Sequence, residues 1–172
     1  MALSTKLLVE QLRQRLAQDA AIAARAGSDA RDAAQHSATA AEKRQDGRVM
    51  IEFANLAHAQ AKRVEKARAE LRVLDGFVER GLKPFGPNSP VGLGAIVDAL
   101  GEDDDGDYGR TFVMLPVGAG EELHGPGGDG VITVITPQSP VGKAMLGKGV
   151  GDVAEVVVRG EPVDWEIIEV GC

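Results

Sequence analysis

The eight prolines of this 172-residue chain are confined to one part of it: the first lies at position 84, and none precedes it. Because proline breaks or kinks a helix, its absence leaves residues 1–83 free to form long helices. This stretch is rich in Ala, Arg, Glu, Gln and Leu, which favour helices. We therefore predict a helical domain over residues 1–83.

Apolar residues in this stretch recur at the spacing of a coiled coil. Two such helices joined by a polar turn predict an antiparallel coiled-coil hairpin. In the second helix the spacing alternates between four and three, giving the seam Phe53, Ala57, Gln60, Val64, Ala67, Leu71, Leu74 and Val78, whereas an earlier helix carries Leu8, Leu12, Leu16, Ala20 and Ala23.

A second domain, over residues 84–172, follows a linker at about 81–90 that is dense in Pro and Gly. The two parts differ in charge. Residues 1–83 hold 15 Lys and Arg against 11 Asp and Glu, whereas residues 84–172 hold 4 against 15. The acidic second part argues against direct binding of nucleic acid, which requires a basic surface.

Cysteine content and hydropathy narrow the protein class further. Cys172 is the one cysteine, which excludes an internal disulfide framework and a cysteine-based zinc site. The first twenty residues are amphipathic and charged, and no apolar stretch approaches the length that crosses a membrane. We expect a soluble, cytoplasmic protein.

The turn between the two helices carries candidate metal ligands. If the second helix begins near Thr39, Glu42 occupies the third position of a capping box, and Asp46 lies four residues further on the same face. Two carboxylates on one face can share a divalent cation. The alternative is that Glu42 only caps the helix and Asp46 is solvated. His36 and His58 are interpreted as surface or packing residues.

The second part of the chain has the pattern of strands. Strands are predicted over residues 93–100, 110–116, 131–136, 153–159 and 163–170, with one short helix between the third and the fourth. The acidic run at residues 102–107 lacks the ligand spacing of an EF-hand and is interpreted as a solvated hairpin turn. We therefore predict an α+β module with a small antiparallel sheet.

The short helix falls in a segment, GKAMLGKG at residues 142–149, that partly matches a phosphate-binding loop. The match fails at its last position, because Gly149 stands where a Ser or Thr would hold magnesium. In addition, only about two helical turns separate Pro140 from residues 149–152, after which the next strand begins, whereas a phosphate-binding loop opens a long helix. Nucleotide binding is therefore not expected. We expect that the glycines instead let a short helix enter, stop and turn back into a strand.

Residues 139–152, SPVGKAMLGKGVGD, resemble the SPxGxALLGxxxGD signature of the C-terminal domain of Gre-type transcript cleavage factors, and residues 164–168 are similar to that domain's final strand. The resemblance implies an FKBP-like α+β domain preceded by a coiled-coil hairpin. It also implies that the signature is the motif that docks on RNA polymerase. In this chain the docking residues are Ser139, Pro140, Gly142, Leu146, Gly147, Gly151 and Asp152.

The resemblance further implies that core RNA polymerase is the partner and that the hairpin enters its secondary channel. In the family, acids at the hairpin tip help hold the second Mg²⁺ of the polymerase, which then cleaves backtracked RNA. Glu42 matches the second family acid, but Thr39 replaces the first, and Asp46 or Asp32 substitutes for it. Glu42 and Asp46 then bind Mg²⁺ only jointly with the polymerase. We expect a monomer with no cofactor and no catalytic residue of its own.

Two alternatives to cleavage stimulation stay open: a regulator or inhibitor that binds the channel without stimulating cleavage, and a generic coiled-coil interaction protein. Peptidyl-prolyl isomerase activity is not expected. Such an active site is a pocket lined with aromatic side chains. Residues 84–172 contain only four of them: Phe85, Tyr108, Phe112 and Trp165.

Overall fold

The computed structural model of the chain describes residues 4–36, 46–103, 106–128, 130–158 and 160–172. Three helices lie in these ranges: α1 (Thr5–His36), α2 (Asp46–Glu79) and α3 (Pro140–Met145). The strands are β1 (Ile96–Asp103), β2 (Gly106–Met114), β3 (Glu122–His124), β4 (Val131–Ile135), β5 (Val153–Val158) and β6 (Glu161–Gly171), with a 3₁₀ turn at Pro126–Gly128.

The two long helices confirm the predicted antiparallel hairpin. Near the start of α1, Arg13 forms an ion pair with Asp75 at 3.2 Å. Further along α1, a Cβ placed on Gly27 would lie 3.3 Å from the Cβ of Gln60. As residue numbers increase along α1, the residue numbers of the contact partners on α2 therefore decrease, as they do in an antiparallel pair. Thr39, the predicted start of the second helix, lies outside the described residues. Among those that are described, no helix has an apolar stretch long enough to cross a membrane.

The chain divides into two compact units, and each long helix contributes to both. The sheet unit comprises residues 1–13 and 73–172, and the helical unit comprises residues 14–72. The predicted division into domains at residues 83 and 84, with its linker, stays a prediction.

The seam predicted for α2 needs one correction within the sheet unit. Val78 was placed on the seam, but its side chain is 43% exposed, whereas the neighbouring Phe77 is only 6% exposed. The ring of Phe77 instead faces Gly94, where an added Cβ would lie 3.5 Å from the Phe77 ring. At this end of α2 the buried face is therefore set by residues of the sheet unit, which the heptad pattern does not include.

The six strands form one sheet in the order β3-β4-β2-β1-β6-β5. This confirms the predicted α+β class with a mostly antiparallel sheet, but one pair departs from the prediction. β2 and β4 run parallel, with Val113 beside Val134. The parallel pairing results from β3, a strand that was not predicted from the sequence. This three-residue strand pairs antiparallel with β4 and so lets the chain return in the direction of β2.

The first predicted strand, at residues 93–100, is shifted in the structure. Leu93 and Gly94 form a turn, and Gly94 has a φ of +97°, a left-handed conformation that glycine adopts without strain. β1 therefore begins at Ile96 and continues into the acidic run, where Glu102 lies opposite Asp107 on β2. The predicted hairpin is confirmed, but its strands extend further than predicted.

One side of the sheet forms the main core together with α3. Trp165 of β6 lies at its centre, and its ring meets those of Tyr108 and Phe112 edge-on, both with centroids 5.2 Å away. Edge-to-face contacts of this kind stabilise a core beyond the area that they bury. The buried members of this core are Val91, Ala95, Val97, Ala99, Phe112, Met114, Ile135, Met145, Ala154, Val156, Trp165, Ile167 and Val170.

Polar contacts join the start of α1 to the loops and the edge of the sheet. The buried hydroxyl of Thr5 donates to the carbonyl oxygen of Gly94 at 2.7 Å. The amide of Gln11 pairs with the backbone of His124 twice, since its Nε2 donates to the carbonyl oxygen at 2.7 Å and its Oε1 accepts from the N–H at 3.0 Å. The Gln11 side chain thus forms with the edge strand β3 the pair of hydrogen bonds that a neighbouring strand would form.

Candidate functional site

The hairpin-tip acids are the first candidate site. Glu42 lies outside the described residues, as does Thr39. Asp46 is the first residue of α2, but its side chain lies outside what the structure describes. Asp32 is exposed near the end of α1, and its backbone carbonyl oxygen accepts a hydrogen bond from Nδ1 of His36 at 2.8 Å. This bond uses the backbone of Asp32 and leaves its carboxylate exposed.

Carboxylate oxygens are the donors that Mg²⁺ prefers, so the acids at the tip are of the right chemical type for the predicted shared site. Within the described ranges, no three His, Cys, Asp or Glu side chains lie close enough to hold a metal ion together. The joint site at Glu42 and Asp46, with Asp32 as a further acid, therefore stays a prediction.

The second candidate site is the turn around α3, which we call the docking turn (residues 136–152). Its first part is held by Ser139, the N-cap of α3. The Ser139 hydroxyl donates to the carbonyl oxygen of Thr136 at 2.8 Å and accepts from the N–H groups of Thr136 and Gly142, at 3.1 and 3.2 Å. A side-chain oxygen at this position satisfies an otherwise free helical N–H. The hydroxyl is thus used within the turn.

Gly142 and Pro140 fit the same tight geometry. A Cβ on Gly142 would overlap the carbonyl oxygen of Thr136, so no side chain fits at this position. Pro140 lies at the start of α3, where its missing N–H costs nothing and its fixed φ suits the helix. Pro140 remains exposed.

The end of α3 is joined to the linker. Gly147 has a φ of +80°, and its N–H donates to the carbonyl oxygen of Val91 at 2.9 Å. In return, the N–H of Val91 donates to the carbonyl oxygen of Lys148 at 2.8 Å. Glycine tolerates this left-handed conformation without the steric cost that a Cβ brings. Gly147 therefore ends the helix and brings the chain against the linker.

The last part of the docking turn closes on β6. The carboxylate of Asp152 accepts from the N–H of Gly149 at 2.7 Å. Gly151, with a φ of +86°, donates its N–H to the carbonyl oxygen of Ile167 at 2.8 Å, and the N–H of Ile167 donates to the carbonyl oxygen of Asp152 at 2.9 Å. These bonds fix the direction in which the chain enters β5.

The seven predicted docking residues thus fall into two groups. Five of them build the turn, through hydrogen bonds or through the absence of a side chain: Ser139, Gly142, Gly147, Gly151 and Asp152. The other two, Pro140 and Leu146, present apolar side chains to solvent, and that of Leu146 is 48% exposed. Any apolar contact that the seven make with a partner therefore depends on Pro140 and Leu146.

A groove of about 740 Å³ borders Leu146 within the sheet unit. Phe77, Phe85, Pro90 and Leu93 supply much of its apolar lining. The linker is held here by Phe85, whose N–H donates to Sγ of Cys172 at 3.4 Å. The docking turn therefore adjoins a concave apolar surface of a size suited to side chains of a partner.

Two cations, Arg80 and Lys83, also line the groove, and both are exposed. They precede a part of the chain in which acidic residues greatly outnumber basic ones. This groove was not predicted from the sequence, because its lining comes from α2, the linker and residues on either side of α3, which only the fold brings together. The clustering of Phe85, Pro90 and Leu93 near the linker was the one available signal.

The docking turn lies in a part of the chain that matches a known protein family. Residues 86–171 match the family described as transcription elongation factor, GreA/GreB, C-terminal domain. The chain belongs to the GreA/GreB family. The family match includes the whole docking turn and all six strands, and it does not extend to the hairpin tip.

Solved structures similar to this GreA/GreB-family chain include GreA factor homolog 1 (Gfh1) of Thermus thermophilus, with 18% identity, a TM-score of 0.37, and coverage of 95% of this chain and 94% of that one. Gfh1 of Thermus aquaticus is 19% identical, with a TM-score of 0.39 and coverage of 98% and 92%. No curated protein matches the chain.

Proposed function

We propose that this GreA/GreB-family protein binds core RNA polymerase through the docking turn and inserts its helix pair into the secondary channel. One observation carries the proposal. Leu146 is exposed on a turn in which internal hydrogen bonds hold Ser139, Gly147 and Asp152, and it adjoins an apolar groove. Because hydrogen bonds already fix the backbone around Leu146, burying this side chain against a partner removes apolar area from water at little cost for ordering the turn.

The binding test uses purified core RNA polymerase and isothermal titration calorimetry. Leu146→Ser should weaken binding by about tenfold, because it removes the apolar anchor. Val131→Ser is the matched control, since Val131 is 49% exposed and lies outside the docking turn. Equal affinities for the two variants would overturn the role of Leu146. A wild-type protein that did not bind at all would overturn the proposed function and favour a generic coiled-coil interaction protein.

We further propose that the hairpin tip stimulates cleavage of backtracked RNA. In this mechanism Glu42 and Asp46 would hold a Mg²⁺ ion jointly with the polymerase, with Asp32 as the alternative acid. The metal supplies charge stabilisation and an activated water when it is bound. The chain contributes carboxylates and no catalytic residue of its own.

The cleavage test adds the protein to a stalled, backtracked elongation complex and measures the release of short 3′ RNA fragments. Glu42→Ala combined with Asp46→Ala should abolish release without weakening polymerase binding. A matched double variant, Asp19→Ala with Glu65→Ala, removes one exposed acid from each long helix and should cleave like the wild type. Unchanged cleavage by the tip variant would show that these two acids are not the ligands. Asp32→Ala alone then tests the third acid.

A second candidate function is regulation of the polymerase without stimulation of cleavage. Thr39, which stands where the family has its first tip acid, favours it. This candidate predicts that the wild-type protein binds core polymerase and changes the rate of transcription, while the backtracked complex releases no fragments. Restoring the acid by Thr39→Asp should then produce fragments. If Thr39→Asp left the protein inactive in cleavage, the missing acid would not be the cause.

A further inference from the structure

The side of the sheet that faces away from α3 carries an unusual surface on β1, β6 and β5. Val97, Trp165 and Ala154 on these strands point into the core around α3. Because side chains alternate across a strand, their neighbours point to the other side. We call this surface the outer face; it comprises Asp98, Leu100, Val153, Glu155, Val157, Pro162, Asp164, Glu166, Ile168 and Glu169.

The outer face combines carboxylates with exposed apolar side chains and contains no Lys or Arg at these positions. Val157 is 65% exposed, and Leu100, Val153 and Ile168 are also exposed. No ion pair joins Glu155, Asp164, Glu166 or Glu169 to a described residue. By contrast, the same side of the sheet is buried further along, on β2 and β4, at Val113, Ile132 and Val134. The outer face is thus the part of this side of the sheet that stays exposed to solvent.

The strand register brings like charges together on this face. Glu155 lies directly opposite Asp164, and Asp98 lies directly opposite Glu169. Like charges at opposite positions of neighbouring strands destabilise a sheet. The free protein therefore gives up stability where Glu155 faces Asp164, whereas the carboxylate of Asp98 accepts a hydrogen bond from the hydroxyl of Thr111 at 2.6 Å. A binding partner that neutralised Glu155 and Asp164 would recover this stability.

The chemistry of the outer face selects the kind of partner. Nucleic acid is excluded because its phosphates would meet carboxylates. A second copy of this chain would also place acids against acids. The remaining fit is a protein surface that presents apolar side chains with Lys or Arg around them, as interfaces commonly combine an apolar centre and a polar rim. Across the strands, the outer face on β1, β6 and β5 is about 10 Å wide, which is the diameter of a single helix.

We propose that the outer face binds a basic, apolar surface of core RNA polymerase, as a contact separate from the docking turn. This inference rests on the proposed function, since that function supplies the polymerase. α3 packs against the opposite side of the sheet. The two surfaces therefore contact different parts of the polymerase, and each can be removed without the other.

The first experiment measures binding of purified core polymerase by isothermal titration calorimetry at low and high salt. Glu155→Lys with Asp164→Lys should weaken binding by about tenfold at low salt, and the difference should shrink as salt screens the charges. This variant replaces one like-charge pair by another, so the repulsion within the sheet is retained. The matched control, Glu122→Lys with Glu161→Lys, changes the net charge equally, but at exposed positions outside the outer face. It should bind within about twofold of the wild type.

A second variant separates a binding role from a structural one. Glu155→Gln with Asp164→Asn removes the repulsion and should raise the Tm by a few degrees while weakening polymerase binding severalfold. Leu100→Ser with Val157→Ser should weaken binding at both salt concentrations, since salt does not screen an apolar contact. Fluorescence of Trp165 checks that each variant is folded.

The outcomes distinguish this inference from the proposed function. Weaker binding by the outer-face variants, with an unaffected control, supports the inference. If these variants bind like the wild type while Leu146→Ser binds weakly, the outer face is not a polymerase contact and the proposed function stands. If the wild-type protein does not bind core polymerase, both fail. A wild-type dimer that the outer-face variants dissociate would identify a second copy as the occupant and overturn the inference.

Discussion

The sheet unit and the helical unit are built from side chains of different size. Among the described residues, every one of the largest side chains that are almost fully buried lies in the sheet unit, including Leu12, Leu74 and Met114. The buried positions that the structure describes in the helical unit are, apart from Leu16, small: Ala23, Gly27, Ala30, Ala57 and Ala67.

The difference in the size of the buried side chains determines which unit contributes more to the free energy of folding. Burying a leucine rather than an alanine contributes roughly 2 kcal/mol more, at about 0.8 kcal/mol for each buried CH₂ group. Small residues allow the two helices to approach closely at Gly27 and Gln60, but they remove little apolar area from water. The sheet unit therefore holds most of the folding free energy. The helical unit depends on helix propensity and on a long, narrow contact.

The largest expected effect is a loss of sheet-unit stability on truncation of Trp165. Trp165→Ala should lower the free energy of unfolding by about 3–5 kcal/mol, because it leaves a large cavity beside Tyr108 and Phe112. Calorimetric unfolding measures the change. Trp165→Phe is the control: it keeps a ring and removes an indole N–H that has no hydrogen-bond partner among the described residues, so it should cost far less. Equal losses for the two would contradict the cavity argument.

Hydrogen exchange tests the comparison of the two units directly. Slowly exchanging amides of the helical unit should open at a free energy about 3 kcal/mol lower than those of β1 and β6, which corresponds to roughly a hundredfold lower protection. The reason is the small buried area around Ala57 and Ala67. Native-state exchange followed by mass spectrometry gives both values in one experiment. Similar protection in the two units would remove the contrast.

Gly142 should be the least tolerant glycine of the docking turn. Gly142→Ala should cost about 1–3 kcal/mol, because its Cβ would overlap the carbonyl oxygen of Thr136 and the backbone has to move. Urea unfolding followed by Trp165 fluorescence measures this cost. Gly149→Ala adds the same methyl group where the nearest atom, Oδ2 of Asp152, is 3.9 Å away, and it should be nearly neutral.

A small stabilisation is expected in the helical unit, at Gly27. Gly27→Ala gains helix propensity of up to about 1 kcal/mol, and the new methyl group lies 3.3 Å from Gln60, so a small shift offsets part of the gain. We expect a net stabilisation of about 0.5 kcal/mol, measured as thermal unfolding by far-UV circular dichroism. A loss of more than about 1 kcal/mol would show that the helices at Gly27 are packed as rigidly as the core around Trp165.

Local patterns predicted the parts of the fold that depend on local causes. The absence of proline and the spacing of seam residues such as Ala57 and Leu74 gave the two long helices. The glycines at 142, 147 and 151 predicted the short helix and the turn after it, because Gly147 and Gly151 adopt a left-handed φ and Gly142 leaves room for a nearby carbonyl oxygen. The resemblance alone pointed to Ser139 and Asp152.

The parts that were missed depend on contacts between distant segments. β3 is only three residues long, so it shows too little alternation to be recognised, and without it the parallel pairing of β2 and β4 could not be foreseen. Phe77 is buried by contact with residues near Gly94, which no heptad pattern contains. The exposed state of Leu146 and the groove beside it follow from the packing of the linker against the end of α3.

The double hydrogen bond between Gln11 and His124 has a consequence for how the chain is made. The two residues are 113 positions apart, and a ribosome adding about 5–20 residues per second needs on the order of ten seconds to reach from one to the other. The pairing of β1 with β6 comes later still in synthesis, because Ile96 pairs with Gly171. The two long helices can therefore pair with each other early in synthesis, whereas the first turns of α1 stay without their partners until the sheet has been synthesised.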